Sequence, residues 1–70
     1  MATLLLRFRD LGPEDVTAVE VALRALPGVY GAVVSASEGC AEVDFEDDEI
    51  GVDAVVDRLR GEGYAVTVSG

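Results

Sequence analysis

Cys40 is the single thiol in a chain that has no His, Lys, Asn, Gln or Trp. It cannot form an internal disulfide, and no Cys–His or Ser–His pair exists to activate a nucleophile. General acid–base chemistry would fall to carboxylates, tyrosine or Cys40 itself. The other groups of chemical interest are acidic. Asp10, Glu14 and Asp15 are hard oxygen donors clustered in one loop, which suit Mg, Ca or Mn. Glu46-Asp47-Asp48-Glu49, with Asp44 and Asp53 around it, is a second acidic group, but it lacks the glycine and glutamate spacing of a calcium loop. Each group also has a structural explanation. Carboxylates at a helix start complement its dipole, an acidic run is an ordinary solvated surface, and a cysteine at a strand start is a small residue that packs well.

The surrounding composition narrows the classes further. Seventy residues allow one domain, spanning 1–70, with a small core. Five arginines against fourteen acids leave a formal charge of −9. That charge opposes nucleic acid and anionic membranes and favours a basic protein partner. No apolar run reaches the ~20 residues of a membrane span, and Met1–Leu6 lacks the basic start of a signal peptide. The expected location is the cytoplasm.

The elements that position these residues follow from periodicity. Leu4, Leu6 and Phe8 alternate with Leu5, Arg7 and Arg9 in a first strand. Gly12-Pro13-Glu14-Asp15 opens a helix with Pro13 at its first position, and Val16, Val19, Leu23 and Leu26 form the apolar stripe. Pro27-Gly28 ends it. A second strand runs over 29–36, Ser37-Glu38-Gly39 makes a turn with Gly39 at positive φ, and Ala41, Val43 and Phe45 face the core from a third strand. Asp47 or Asp48 is expected to cap a second helix carrying Ile50, Val52, Val55, Val56 and Leu59. Tyr64, Val66 and Val68 alternate in a fourth strand. The order βαββαβ is satisfied by an α+β ferredoxin-like sandwich, with a four-stranded antiparallel sheet of order 4-1-3-2 and two helices on one face. Tyr64 is expected to pack its ring in the core with its hydroxyl at the rim. In this arrangement Arg7 and Arg9 are expected to face Glu42 and Asp44 across the open sheet face.

The helix segment Val19-Glu20-x-Ala22-Leu23, the junction Leu26-Pro27-Gly28-Val29 and the terminal Gly63-Tyr64 together resemble a heavy-metal-associated domain. The resemblance covers nearly the whole chain and implies the fold just described. It also implies a Met-x-Cys-x-x-Cys loop that holds Cu(I) or Zn(II). Aligned on the helix, the family's methionine falls at Asp10 and its two cysteines at Gly12 and Asp15, and none of the three is present. The resemblance therefore implies shape and descent without the usual thiolate pair. The topology places Cys40 at the same end as that loop and Gly63-Tyr64. The metal candidates are thus Cys40, Asp10, Glu14 and Asp15.

Val29, Tyr30, Ala32, Val33 and Val34 lie in an expected edge strand that carries no charge. Edges are normally guarded by charge or proline, so this one is expected to pair with a partner chain or a second copy. The leading expectation is a soluble interaction or assembly module without a cofactor and without enzymatic activity. The alternative is metal binding or trafficking through carboxylates or a dimer bridged at Cys40. A further alternative is a small-ligand regulatory domain resembling the ACT domains, whose first loop also carries Asp and Gly near Pro. An acylphosphatase-type enzyme shares the topology, with Arg9 in place of the phosphate-binding arginine, but the asparagine that chemistry needs is absent.

Overall fold

Strand β1 (Ala2–Phe8) sends Leu4, Leu6 and Phe8 inward and leaves Thr3, Leu5 and Arg7 on its other face, the strict two-residue alternation of a half-buried strand. The computed structural model describes residues 2–69. After β1 come α1 (Val16–Arg24), β2 (Val29–Ser35), β3 (Cys40–Phe45), α2 (Val52–Gly61) and β4 (Val66–Val68). The sheet order is β2-β3-β1-β4, with every pair antiparallel. This is the ferredoxin-like sandwich expected from the residue pattern.

Both helices cover the same face of the sheet. Val19, Ala22 and Leu23 of α1 and Val55, Val56 and Leu59 of α2 join one cluster with Leu4, Leu6, Phe8, Ala32, Val34, Ala41, Val43, Phe45 and Val66. Of the residues expected to face the core, Val16, Leu26, Ile50 and Tyr64 are only partly buried at the cluster's edge, and Val52, expected on the buried side of the second helix, is exposed. Val29 lies alongside. The Tyr64 ring meets Phe8 edge-on, with centroids 6.1 Å apart and planes at 85°.

The termini of the elements depart from the sequence pattern. A single 3₁₀ turn, Pro13–Asp15, precedes α1, so Pro13 opens the turn rather than the α-helix. Helix α1 stops at Arg24, and Leu26-Pro27-Gly28 forms a separate turn in which Gly28 holds φ at +93°. The acidic run makes a turn over 47–49, and the residue capping α2 is Gly51. Asp47 and Asp48 are therefore not helix caps, and Ile50 lies outside the helix. Strand β2 is interrupted by an irregularity between Val29 and Gly31, where Tyr30 is the extra residue. Gly39 adopts φ +65° in the β2–β3 turn, as expected.

The register corrects one expected pairing. On the open face, Glu42 stands opposite Leu5, Asp44 opposite Thr3 and Cys40 opposite Arg7. Asp44 accepts a hydrogen bond from the Thr3 hydroxyl at 3.0 Å. Arg7 lies one pair further along than the acidic residues, and Arg9 lies beyond the end of β1. Among the described residues neither arginine has an ion-pair partner; the ion pair among those residues joins Arg58 and Glu62 at 3.8 Å.

Candidate functional site

The loop after β1, the β2–β3 turn and the entry to β4 converge at one end of the sheet. The Phe8 N–H bonds to the Gly39 carbonyl at 2.8 Å, and the Arg9 N–H bonds to the Ala65 carbonyl at 3.0 Å. This is the end at which a metal loop was expected, and it gathers Asp10, Glu14, Asp15 and Cys40.

Asp15 has a structural partner there. Asp15 Oδ2 accepts from the Gly12 N–H at 3.1 Å, and the Asp15 N–H bonds back to the Gly12 carbonyl at 2.9 Å. The carboxylate thereby ties the start of the 3₁₀ turn to its end. Gly12 offers no donor side chain, and Asp10 and Glu14 are exposed. Among the described residues no group of three Cys, Asp or Glu side chains comes close enough to hold a metal ion. Hard-metal binding by Asp10, Glu14 and Asp15 therefore has no geometric support.

Cys40 begins β3 on the open face of the sheet, opposite Arg7 and Ser35. It is half-buried, and its thiol points to Glu38 Oε1 at 3.7 Å, a weak S–H contact. A soft metal placed there would find one thiolate. The loop residues Gly12 and Asp15, by contrast, lead the chain toward the helix face. The donor set does not match a two-cysteine site.

The β2 edge is exposed at Tyr30 and Val33, while Ala32 and Val34 point into the core and Val29 is half-buried. It is less open than its uncharged sequence implies. Arg24, in the last turn of α1, donates from Nη2 to the Ala32 carbonyl at 2.9 Å. At the opposite edge Arg60, in the last turn of α2, donates to the Val66 carbonyl at 3.2 Å. The guard of each edge comes from the preceding helix and not from the strand itself, which is why a scan of the strand misses it.

Comparison with known proteins was decisive for the family. No protein-family model matches the chain. The copper chaperone CopZ of Staphylococcus saprophyticus is 43% identical over 49 residues, spanning 70% of this chain and 72% of the relative. The chain belongs to the heavy-metal-associated domain family. Solved structures agree on the fold. A copper-binding domain from HMA7, a P-type ATPase, superposes with a TM-score of 0.92 at 18% identity, covering 100% of this chain and 96% of that one. Oxidized MerP from Ralstonia metallidurans CH34 gives 0.92 at 21%, covering 99% and 97%. A CopZ metallochaperone gives 0.86 at 27%, covering 94% and 100%.

These relatives overturn the expectation of a domain without a cofactor. They include a copper chaperone, related in sequence, and a copper-binding domain of the same fold. The observed donor set limits how this heavy-metal-associated domain could take part, because Cys40 is its only thiol.

Proposed function

We propose that this heavy-metal-associated domain is a metal-trafficking module that handles a soft ion of the Cu(I) class jointly with a second protein chain. The domain contributes one thiolate, Cys40, and the partner or a second copy contributes the rest. The observation carrying this reading is the 43% identity to a copper chaperone in a chain with one thiol. Thiolate ligands select Cu(I), and carboxylates do not. The half-exposed position of Cys40 on an open sheet face supports access by a partner's ligands. The charge of −9 supports a basic partner surface, which would speed encounter at low salt. A reducing cytoplasm, where a lone thiol persists, suits the reading. The domain acts as a carrier and no catalytic step is involved.

The test is titration of the reduced protein with Cu(I), followed by native mass spectrometry. The expected species contains one copper ion bridging two chains, and Cys40→Ser abolishes it while the melting temperature is retained. Tight one-to-one binding by a monomer, or copper binding unchanged by Cys40→Ser, would overturn the proposal.

A further inference from the structure

Three of the five arginines of this acidic chain line a single open groove of about 630 Å³ beside β4. Its walls include Arg7, Arg9, Arg60, Tyr64, Ala65 and Thr67. The volume lies within the ~300–1,000 Å³ of small-molecule sites. Cys40 does not line the groove, although it is the cross-strand neighbour of Arg7, and the β2 edge lies on the far side of the sheet.

The charge within it is not neutralised locally. Arg7 and Arg9 are exposed, and their guanidinium groups have no hydrogen-bonding or ion-pair partner among the described residues. Arg60 spends one donor on the Val66 carbonyl at 3.2 Å, which fixes its direction and leaves further guanidinium N–H groups available. Two carboxylates, Asp15 and Glu62, bear on the Tyr64 hydroxyl at the rim. Each has a partner of its own: Asp15 accepts from the Gly12 N–H, and Glu62 pairs with Arg58.

The groove follows the free edge of β4. The Arg9 N–H bonds to the Ala65 carbonyl and the Ser69 N–H to the Leu5 carbonyl, so the odd-numbered residues of this segment face β1. By strand alternation Val66 and Val68 direct their N–H groups outward along the edge. Three guanidinium groups lining one cleft, with an aromatic ring at its rim, match the oxygens of an anion.

We propose that the groove bounded by Arg7, Arg9 and Arg60 binds a small multivalent anion bearing carboxylate or phosphate groups. A small ligand fits better than an acidic macromolecule. Repulsion from a chain of charge −9 grows with the product of the two charges, whereas contacts with three arginines are short-ranged and limited in number. Arg60 on the Val66 carbonyl also blocks an incoming strand at that edge. The inference concerns the metal-free protein and stands or falls separately from the Cu(I) proposal.

The test is a chemical-shift titration of the metal-free protein with succinate in one arm and pyrophosphate in the other, each matched in ionic strength with sodium chloride. Saturable shifts are expected at the amides of Arg7, Arg9, Ala65 and Thr67 in at least one arm, and the arm with the tighter midpoint identifies the head group. The double variant Arg7→Gln/Arg9→Gln should weaken binding about tenfold or more. Arg24→Gln, on the far edge, should leave it unchanged. Shifts that fail to saturate, that sodium chloride reproduces, or that Arg24→Gln reduces equally would overturn the proposal.

Discussion

Arg24 Nη2 lies 2.9 Å from the Ala32 carbonyl oxygen, so the last turn of α1 closes the edge of the strand that follows it. The pairing satisfies an outward carbonyl that the sheet leaves free and puts a guanidinium where an incoming strand would dock. Replacing Arg24 with Ala should lower stability by about 1 kcal/mol and increase self-association. The domain's charge opposes that association, so it should strengthen with salt as repulsion is screened within a Debye length of ~8 Å at physiological salt. Sedimentation at low and high salt measures it. Val33→Lys should reverse the association without unfolding the domain, because Val33 is 65% exposed and stands opposite Glu42.

The same residues show how far the chain could be read before folding. Alternation from Thr3 to Arg9 and the Val19, Leu23, Val55 and Leu59 stripes specified sheet and helix faces, because a half-buried element has only one way to hide its apolar side. Register was not legible. Arg7 falls opposite Cys40, and no tight turn joins β1 to β3 to fix that register from local sequence, since α1 and β2 lie between them. Treating the arginines as paired with Glu42 and Asp44 concealed the groove. The edge guard was missed because Arg24 sits eight residues before its acceptor on another element. Arg60, six residues before Val66 and again in a helix's last turn, repeats the device and was the available signal. The metal question was only half legible: the lone thiol could be counted, but relatedness to a copper chaperone could not be weighed from residue chemistry.

Gly28 holds φ at +93°, and a Cβ there would approach Glu49 Cβ and Ile50 Cγ2, both at 3.0 Å. Its carbonyl accepts the Glu46 N–H at 2.8 Å, so the turn anchors the acidic segment to the start of β2. Backbone strain of about 1–2 kcal/mol and the close contacts act together. Gly28→Ala should therefore destabilise the fold by more than Gly61→Ala, whose Cβ meets nothing within 4 Å. Chemical denaturation of the two variants provides the comparison.

Tyr30 and Tyr64 both titrate above the ordinary tyrosine value, first because folding removes water from them and then because carboxylates lie nearby. Glu46 and Asp44 act on Tyr30, and Asp15 and Glu62 act on Tyr64. A raised folded value means that, as pH rises past 10.0, the unfolded chain loses its tyrosine protons first. The folded state then binds more protons than the unfolded state, and stability falls with rising pH. Below that range the two tyrosines contribute no pH dependence. Denaturation midpoints should decline in the alkaline range, and Tyr30→Phe or Tyr64→Phe should each flatten part of that decline. Tyrosinate absorbance in the folded protein should rise later than in denatured protein.

The loop where the family resemblance implies two thiols offers a direct test of whether this fold can form a closed thiolate site. Gly12 has φ −85° and ψ 158°, a conformation open to any residue, so Cys fits its backbone. The nearest atoms to a Cβ there belong to the carboxylate of Glu14, the far end of a flexible side chain that can swing into solvent. Asp15→Cys is harder, because it removes the carboxylate that accepts the Gly12 N–H; a lost cap of this kind costs about 1 kcal/mol. The double variant Gly12→Cys/Asp15→Cys should fold with slightly reduced stability and bind Cu(I) one-to-one as a monomer. Adding Glu14→Ala should tighten binding further by clearing the space beside position 12. Competition against a chromogenic Cu(I) chelator reads the affinity, and sedimentation reads the state. If the double variant folds but binds no more tightly than the parent, the loop has changed shape as well as composition, and the path back to a closed thiolate site is blocked by the 3₁₀ turn that Pro13 now opens.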